Sequence, residues 1–561
     1  MRLDGVGTAA IAVNVAALHR RGVADSLAPG MQEFDFVVVG AGSSGGPVVS
    51  RLTESGKHSV LLLEAGPPDT NRWLHIPIGF SRTFLDPEVN WKFASGPEPH
   101  LNGRRVYWPR GKVLGGSSAI NGMVYVRGLR SDYDHWRQLG NEGWSFDDCL
   151  PYFKRLEGHI LGDSELHGGS GPVKISGTEY RSELGDTFLY ACDEVGLQRN
   201  TDFNGALQEG AGYYHITARR GRRSSTARAY IAEAMRRRNC KVVTRALVER
   251  VELEDGRAVG VRYIVDGKSH VARARREVVL CAGAVGSPHL LQLSGIGPAA
   301  VLREHGIEVK HELPGVGENL QDHYAVSSVF ETWWQMTLND DWSSWRRRLG
   351  AVAAYYALRR GPMMTCPGFV GAFVHLLPES AEPDTQLHFF PWSSARLDQG
   401  PDDFSGFTII ANQSRPESRG HVRLASADPA DKPTIIANYL AAETDRRAVV
   451  ASLKFVRQLS RSEALTTIVT LEHAPGTDLM LDDEFLAYAR ERGQSAYHPV
   501  GTCRMGHDKM AVVDPQLRVR GVAGLRVADA SIMPALVSGN TNAACMMIGE
   551  KAADLILADA A

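Results

Sequence analysis

The residue best suited to acid–base chemistry lies near the C-terminus of the chain. His498 belongs to the segment Tyr497–Gly506, which reads YHPVGTCRMG. Its imidazole has an ordinary pKa of about 6.5, so it can accept a proton near neutral pH. Pro499 favours an extended backbone at His498, and the segment precedes the last predicted strand, where loops face a bound ligand. A structural role stays open, because a lone histidine is more often structural than catalytic.

Two asparagines further along are candidates for neutral hydrogen bonds to a substrate or cofactor. Asn540 and Asn542 lie in Ser538–Ala543, which reads SGNTNA, and they precede a helix predicted over Ala543–Leu557. Asparagine is also favoured at helix N-termini for its capping hydrogen bond. Capping and ligand contact are compatible, so this segment alone does not choose between them.

A glycine-rich turn near the N-terminus has the spacing of a dinucleotide-binding fingerprint. Gly40–Gly45 reads GAGSSG and follows Phe34–Val39, an apolar run that predicts a buried parallel strand. A helix predicted over Pro47–Thr53 and a strand predicted over Ser59–Leu63 complete a βαβ unit, which ends at Glu64. Strand, glycines, helix, strand and acid in this order favour dinucleotide binding over an empty turn.

Each part of this fingerprint has a physical task. Gly40 allows the tight turn, Gly42 lets the backbone approach a pyrophosphate, and Gly45 lets helix and strand pack closely. The helix N-terminus offers N–H groups and the positive end of its dipole to the phosphates. Glu64 is placed to bind ribose hydroxyls. A nicotinamide enzyme would carry the same fingerprint, so the turn alone does not name the cofactor.

Two further glycine-rich segments could curve around the same ligand. Arg110–Met123 reads RGKVLGGSSAINGM, and its apolar residues predict burial. A buried loop needs partners for its N–H groups, which a polar cofactor supplies. Gly283–Gly297 reads GAVGSPHLLQLSGIG and predicts a helix from Ser287, with Pro288 in the first turn. For both segments a purely structural role, as a connecting loop or a helix cap, stays open.

Composition excludes several classes of function. The chain has 561 residues, with 62 Lys and Arg against 64 Asp and Glu, so nucleic-acid binding has no electrostatic support. Seven widely spaced cysteines without a CxxC pair argue against a disulfide framework or a zinc site, and we expect no metal. No apolar run approaches the ~18 residues of a membrane span. Thr8–Leu18 is apolar but has the wrong charge order for a signal peptide, so we expect residues 1–32 to form an N-terminal extension.

The remaining elements predict a two-domain α/β protein. Glu277–Cys281 and Gly524–Ala528 look like further strands of the first sheet without an obvious local partner, so its domain is expected to be discontinuous. Short runs such as Thr408–Ala411 and Val422–Leu424 predict a second, antiparallel sheet, with a helix over Arg446–Ser460 packed on it. We expect a Rossmann-like dinucleotide-binding domain from residues 33–155, 224–325 and 493–561, and a substrate domain from residues 156–223 and 326–492.

Taken together, these motifs resemble the glucose–methanol–choline (GMC) family of flavoenzymes over nearly the whole chain. The resemblance rests on the glycine turn with Glu64, on Gly111–Asp134 and Gly283–Gly297, which look like the two family signatures, and on His498 with Asn542. Within the family, the chain looks most like bacterial choline, aliphatic alcohol and sorbose dehydrogenases.

The resemblance implies an FAD enzyme that oxidises an alcohol to an aldehyde or ketone. It implies that His498 takes the hydroxyl proton, that Asn542 hydrogen-bonds the developing alkoxide, and that hydride goes to flavin N5. Some relatives attach flavin covalently to a histidine before the paired glycines; here that stretch is Tyr107–Arg110, without histidine, so we expect non-covalent FAD. The residues expected to bind FAD are Gly40, Gly42, Gly45, Glu64, Val113, Gly115, Asn121, Gly122, Met123, Val124, Val248, Asp529 and Asn540.

The identity of the small-molecule alcohol and of the electron acceptor stays open. Choline would require aromatic rings and a carboxylate around its quaternary ammonium group. The nearest branch favours a dehydrogenase that uses an acceptor other than O₂, such as a quinone or a carrier protein. The alternatives are an oxidase that releases H₂O₂, a lyase or decarboxylase relative, and a flavin protein without catalysis, although His498 and Asn542 argue against the last.

A cluster of aromatic and basic residues bears on where the enzyme works. We expect a cytoplasmic protein, and this cluster could rest on the surface of the inner membrane and deliver electrons to a quinone pool. The alternative, which we prefer, is a solvated helix face whose aromatic rings lie in the core or at a subunit contact. The cluster consists of Trp342, Trp345, Arg346, Arg347, Arg348, Tyr355, Tyr356, Arg359 and Arg360.

Overall fold

Two large sheets and the helices around them make up the architecture of this computed structural model, which describes residues 32–178, 180–394 and 400–560. The expected N-terminal extension, residues 1–32, lies outside the described residues except for Gln32, which opens the first strand. Within the part of the chain that the structure describes, no helix is long and apolar enough to cross a membrane.

The strands of the two large sheets come from all parts of the chain. In chain order they are Gln32–Val39 (β1), Val60–Glu64 (β2), Gly210–Tyr213 (β3), Cys240–Thr244 (β4), Leu247–Glu254 (β5), Arg257–Val265 (β6), Lys268–Leu280 (β7), Tyr324–Thr332 (β8), Val370–Val374 (β9), Thr385–Phe390 (β10), Gly406–Gln413 (β11), Val469–Ala474 (β12), Gln494–Ser495 (β13) and Leu525–Val527 (β14). Shorter strands form small ribbons: Phe93–Ala94 with Tyr107–Trp108, Ala218–Arg219 with Arg222–Arg223, Ile296–Gly297 with His311–Glu312, His421–Arg423 with Thr434–Ile436, and Glu157–His159 with Val173–Gly177 and His215–Ile216.

The helices cover both sheets and carry several of the loops that face the site. The α-helices are Gly45–Glu54 (α1), Phe80–Thr83 (α2), Arg130–Gln138 (α3), Phe146–Leu156 (α4), Glu183–Glu194 (α5), Ala232–Ala234 (α6), Gly283–Leu293 (α7), Ala299–Glu304 (α8), Leu338–Ser343 (α9), Trp345–Leu358 (α10), Glu443–Ser460 (α11), Glu463–Thr466 (α12), Asp482–Arg492 (α13) and Asn542–Ala560 (α14). Short 3₁₀ turns lie at Arg72–Leu74, Pro77–Gly79, Gly116–Ala119, Pro362–Met364 and Ala530–Ile532, and a π-helical turn at Ala227–Ile231.

The first sheet contains the predicted βαβ unit at its centre. Its order is β4-β2-β1-β7-β6-β5, and β14 pairs with the end of β7. β1 runs parallel to both β2 and β7, and α1 connects β1 to β2. Val37, Val38, Leu61 and Leu62 are completely buried, as expected for central parallel strands that are covered on both faces. The strand, turn and helix read from the sequence are confirmed here.

One strand of this sheet is longer than the sequence pattern indicated. We expected Glu277–Cys281 to lack a local partner, but β7 begins at Lys268 and its first half pairs antiparallel with the neighbouring β6. Its second half pairs in parallel with β1 and β14. The expectation was wrong because the first half reads KSHVARARR, whose charged side chains obscure the alternation typical of a strand.

The second sheet is antiparallel, as predicted, and has the order β12-β8-β11-β10-β9-β3, with β13 paired to β8. Thr408–Ala411 lies within β11, and α11 packs on β8 and β11. The predicted strand at Val422–Leu424 is part of a separate ribbon instead, paired with Thr434–Ile436. β8 begins at Tyr324 and β13 at Gln494, so the second sheet extends slightly past the boundaries that we drew at 326 and 493.

The helix that follows β7 begins earlier than predicted. α7 starts at Gly283 rather than Ser287, which places Pro288 in its interior. An interior proline leaves the carbonyl four residues earlier without its helical N–H donor. That carbonyl belongs to Ala284, and the buried hydroxyl of Thr502 donates to it over 2.6 Å. The side chain of a distant loop therefore compensates for the proline, which local sequence could not reveal.

Candidate active site

A cavity of about 1150 Å³ lies between the carboxyl ends of the first sheet's strands and one face of the second sheet. Small-molecule pockets are typically ~300–1,000 Å³, so this cavity has room for a dinucleotide and a further ligand. The predicted residues that line it are Gly40, Gly42, Glu64, Asn121, Gly122, Met123, Val124, Val248, His498, Asp529, Asn540 and Asn542.

The glycine turn leaves the floor of the cavity open where a phosphate would approach. Gly40 has a φ of 100°, and a Cβ atom there would overlap the Cys281 carbonyl oxygen. A Cβ on Gly42 would meet nothing nearer than 4.0 Å, so this position faces the cavity. Glu64 accepts hydrogen bonds from the Ala41 N–H at 2.9 Å and the Gly66 N–H at 2.8 Å, and burial raises the pKa of its carboxyl to about 7. A diphosphate and a ribose fit this arrangement.

Asp529 joins the end of β14 to the start of α7. One carboxylate oxygen accepts from the Gly283 N–H at 2.8 Å and the Ser287 hydroxyl at 2.5 Å. The other accepts from the N–H and the hydroxyl of Ser531, at 2.9 and 2.6 Å. Burial raises the pKa of Asp529, while these four donors favour the charged form. Asp529 therefore fixes two of the predicted cofactor segments relative to each other.

The loop Asn121–Val124 forms one wall of the cavity and is held rigidly from behind. Asn121 accepts from the Arg223 guanidinium at 2.6 Å and from the Met123 N–H at 3.1 Å. Met123 has a φ of 64°, and its carbonyl accepts from the N–H of Thr217 at 2.8 Å. A wall with its backbone fixed in this way can position a planar ring without rearranging.

Three residues that the resemblance placed at the cofactor do not line the cavity. A Cβ on Gly45 would overlap the carbonyl oxygen of Gly40, so Gly45 serves the packing of α1 on the turn. Gly115 has a φ of 93° and donates to the Ala41 carbonyl at 2.9 Å, and Val113 is completely buried. These three support the lining from behind, and a direct contact of any of them with FAD stays a prediction.

His498 faces the cavity with one ring nitrogen and is held on its other side. Its backbone N–H donates to a carboxylate oxygen of Asp322 at 2.7 Å. Its Nδ1 lies 2.9 Å from Nδ1 of His323, and its Nε2 lies 3.1 Å from the amide nitrogen of Asn540. Burial, together with the charges of His323, His388 and Arg110, holds the pKa of His498 well below its ordinary value. The imidazole is therefore neutral at neutral pH, which is the form that can accept a proton.

The two predicted asparagines make different contacts, and their expected roles toward cofactor and substrate stay predictions. Asn540, which the resemblance assigned to the cofactor, is the one in contact with His498, and it also accepts from the Gln386 amide at 3.2 Å. Asn542, assigned to the alkoxide, accepts from the Ser43 hydroxyl at 2.7 Å. It is the first residue of α14, which packs so closely on α1 that a Cβ on Gly549 would overlap Ser44.

The second sheet contributes a row of neutral side chains to the cavity. Alternate residues of β8, β10 and β11 point to it, and the register places Ser327 opposite Ile410 and Val329 opposite Thr408. The side chains that line it from these strands are Ala325, Ser327, Val329, His388, Phe390, Thr408, Ile410 and Asn412. Of these only His388 is titratable, and burial lowers its pKa to about 4, so this face is uncharged at neutral pH.

Sequence reasoning did not find the residues that hold His498. Asp322 and His323 lie directly before β8, and His323 is 175 positions from the residue that it contacts. Asp322 also accepts from the hydroxyls of Tyr439 and Ser495, the latter at 2.5 Å. The one available signal was that an acid and a histidine stand next to each other just before a strand of alternating apolar residues. This pattern is too common to identify Asp322 and His323 as site residues.

Comparison with known proteins shows the family of this chain. Two family models, both described as GMC oxidoreductase, match residues 34–325 and 416–549. The chain is 41% identical to an oxygen-dependent choline dehydrogenase of Vibrio vulnificus, over 94% of each protein. It is equally 41% identical to an alcohol dehydrogenase (acceptor) of Pseudomonas putida, over 93% of this chain and 96% of that protein.

Solved structures agree with this assignment. Pyridoxine 4-oxidase from Mesorbium loti matches with a TM-score of 0.84 at 30% identity, covering 93% of this chain and 98% of that one. A formate oxidase variant from Aspergillus oryzae, studied for FAD modification, matches with a TM-score of 0.87 at 28% identity, covering 94% and 98%. The expected α/β fold and the expected FAD-dependent oxidoreductase acting on CH–OH groups are confirmed. The chain belongs to the GMC oxidoreductase family.

Proposed function

We propose that this enzyme oxidises a neutral, largely apolar alcohol with His498 as the base, and that it passes the electrons to an acceptor other than O₂. The observation that carries the proposal is a neutral, buried imidazole whose Nε2 contacts the amide of Asn540 in a cavity that Asn542 also lines. An alcohol loses hydride from its carbinol carbon only as its hydroxyl loses a proton, so a positioned proton acceptor is the group the reaction needs. Bound FAD supplies the electron-pair sink that takes the hydride.

The two amides complement the base. The hydroxyl of Ser43 donates to Oδ1 of Asn542, so the amide N–H₂ of Asn542 lies on the other side of its carbon. There it can donate to the oxygen of a bound alcohol as negative charge develops on it. Asn540 donates to Nε2 of His498, and in this proposal the hydroxyl of the substrate replaces that donor. Asn540 then remains with Gln386 at the edge of the site.

The cofactor is proposed to bind without a covalent bond. Tyr107–Arg110, the stretch in which some relatives attach flavin, carries no histidine. The residues proposed to hold FAD are those of the glycine turn, Glu64, the Asn121–Val124 wall and Asp529. In domain terms, this assigns residues 33–155, 224–325 and 493–561 to FAD and residues 156–223 and 326–492 to substrate, with β8 and β13 at the border. Acid precipitation that leaves the yellow colour in the supernatant would support non-covalent binding.

The substrate class follows from the uncharged sheet face. A quaternary ammonium such as choline is best held by aromatic rings with a nearby negative charge. The described strands β8, β10 and β11 present no carboxylate to the cavity. The aromatic side chains that line the cavity beside these strands suit a neutral chain or ring instead: Phe390 ends β10, and Trp392 and Phe404 lie in the connection from β10 to β11. Five further carboxylates line the cavity, but none belongs to these three strands: Asp402 follows β10, Asp431 lies in the loop between His421–Arg423 and Thr434–Ile436, and Asp478, Glu484 and Glu491 belong to α13 and the loop before it.

A substrate panel tests this proposal directly. We expect kcat/KM for primary aliphatic and aromatic alcohols to exceed that for choline by at least about 10²-fold, since an unpaired ammonium on an apolar face costs several kcal/mol. The measurement uses an artificial electron acceptor, with H₂O₂ release assayed in parallel. Preference for choline would contradict the substrate class. Peroxide formation as fast as acceptor reduction would favour the alternative of an alcohol oxidase. If an alcohol added under anaerobic conditions failed to bleach the flavin, the alternative of a non-oxidising relative would be favoured.

The exposed surface of helix α10 and the residues beside it support the proposal of a lipid-soluble electron acceptor. Trp345, Leu349, Val352 and Tyr356 recur at helical spacing along one face of α10, and all four are exposed. Arg346, Arg347 and Arg348 lie in its first turn and Arg359 and Arg360 at its end. An exposed apolar stripe flanked by basic residues is typical of a helix that lies in an anionic membrane surface. We propose that this surface contacts a bilayer containing a quinone.

A further inference from the structure

Two consecutive residues, Asp322 and His323, hold the proposed base from both its backbone and its ring. Asp322 accepts the backbone N–H of His498 at 2.7 Å. The ring of His323 lies perpendicular to that of His498, with 2.9 Å between the two Nδ1 atoms. His323 is completely buried, and its carbonyl accepts from the N–H of Ala496, which ties it to the segment that carries His498. His323 thus contacts the base without lining the cavity.

The hydrogen-bond partners determine which nitrogens carry protons. Nε2 of His323 lies 2.8 Å from the carbonyl oxygen of Ser414, which can only accept, so this nitrogen bears the hydrogen. Burial lowers the pKa of His323 to about 4, so the ring is neutral at neutral pH and its Nδ1 carries a lone pair. Nδ1 of His498 must then be the donor in the bond between the two rings. In the neutral His498, Nε2 is left with the lone pair, and it is this nitrogen that faces the cavity.

We propose that His323 is a positioning residue that fixes the tautomer of His498, so that the nitrogen facing the substrate is always the one able to accept a proton. The proposal rests on the proposed function of His498 as the base. It has a second consequence: when His498 takes the substrate's proton, its Nδ1–H bond to the lone pair of His323 becomes a charge-assisted bond, which is stronger than the neutral one. His323 therefore supports the imidazolium as well as the tautomer.

The other charged groups around His498 do not explain its fixed tautomer or the support of its imidazolium form. Arg110, from the loop before the paired glycines, donates to the carbonyl of Tyr497 at 2.5 Å and lowers the pKa of His498. His388, from β10, acts in the same direction when protonated, and Asp322 is engaged by three donors. None of these is altered by a change at His323. His323 itself lowers the pKa of His498 through its charge only when it is protonated, and burial lowers the pKa of His323 to about 4, so at neutral pH its removal deletes a hydrogen bond and no charge.

Two substitutions of His323 separate positioning from packing. His323→Leu removes the acceptor, and His323→Asn keeps an oxygen that can accept from Nδ1 of His498. For His323→Leu we expect kcat to fall about 10- to 100-fold, as for loss of a hydrogen bond to a charged group. We also expect the acid limb of the kcat/KM profile to move about one pH unit lower, because the imidazolium loses its acceptor. KM and the amount of bound FAD should change little. His323→Asn should recover most of kcat and return the acid limb of the kcat/KM profile close to its wild-type position.

The tautomer has a direct readout that does not depend on turnover. In holoenzyme labelled with ¹⁵N-histidine, the signals lost in His498→Ala belong to His498. We expect them to show a protonated Nδ1 and an unprotonated Nε2 in the wild-type protein, and a mixture of tautomers in His323→Leu. The opposite tautomer in the wild type, an unmoved acid limb, or equal behaviour of the two His323 variants would overturn the proposal. Near-normal turnover by His498→Ala would instead overturn the proposed function, so the two failures are distinguishable.

Discussion

At the scale of single residues, His498 combines burial with access to the cavity through one nitrogen. Burial, with nearby positive charge, keeps its pKa well below the ordinary value of about 6.5. The neutral form is therefore the populated one throughout the neutral range, and activity should fall only when acid protonates Nε2. In our proposal this base does not need a carboxylate partner on its ring, because the lone pair of the neutral His323 orients it.

Removing this imidazole tests its role. We expect His498→Ala to lower kcat by about 10²–10⁴-fold, as for loss of a general base, while the absorbance of bound FAD stays at the wild-type level. His507→Ala is the matched control, because His507 is exposed and its Nε2 lies 2.9 Å from the carbonyl oxygen of Gly140, away from the cavity lining. Steady-state kinetics with an artificial acceptor measure both variants. Equal rates for the two would remove His498 from the mechanism.

The sequence singled out His498 and both asparagines as candidates, but it did not indicate which of them contact each other. His498 stands out because a proline and glycines punctuate its segment. Asn540 and Asn542 stand two positions apart, so only the path of the chain into α14 decides that Asn540 reaches His498 and Asn542 reaches Ser43. Asp322 and His323 escaped notice because a contact across 175 residues leaves no local pattern.

At the scale of elements, the turn between β1 and α1 depends on a glycine that no other residue can replace. Gly40 combines a φ of 100° with a Cβ position that is blocked by the Cys281 carbonyl oxygen. We expect Gly40→Ala to abolish FAD binding and to destabilise the protein by more than the ~1 kcal/mol of a left-handed alanine. Gly56→Ala is the control, since Gly56 has a φ of 73° with nothing near its Cβ position. Flavin absorbance and thermal unfolding report both effects; equal losses in the two variants would contradict the close approach.

Whether an element is fixed by neighbouring residues or by distant partners explains which elements could be predicted. The βαβ unit follows from neighbouring residues alone, since an apolar run, the glycines and a second apolar run fix it locally. β7 and α7 depend on distant partners: a charged half-strand pairs with β6, and Thr502 satisfies the carbonyl that Pro288 leaves free. Helix starts and strand lengths that rest on such partners are beyond a reading of local pattern.

At the scale of the whole molecule, the neighbouring helix α9 connects the exposed surface of α10 to the wall of the cavity. The ring of Trp342, in α9, lies 6.0 Å from the guanidinium carbon of Arg82 in α2. The same short helix carries Phe80, which lines the cavity and lies 5.8 Å from Trp392 between ring centres. A molecule that leaves a bilayer at α10 would therefore pass Trp342 and Arg82 before it meets Phe80 and Trp392 at the cavity. This arrangement links the proposed membrane contact to the proposed acceptor.

We expect the protein to bind vesicles that contain anionic lipid and to lose that binding as salt rises, because the five arginines around α10 interact with the surface through screened charge. Replacing both Trp345 and Leu349 by serine should weaken binding at least about tenfold, since two exposed apolar side chains no longer enter the interface. The double variant should retain its rate with a water-soluble acceptor. Leu207→Ser is the control, because Leu207 is 75% exposed on a different loop. Vesicle flotation measures binding; equal flotation of the double variant and the control, or an oligomer that the double variant dissociates, would show that α10 does not serve as a membrane surface.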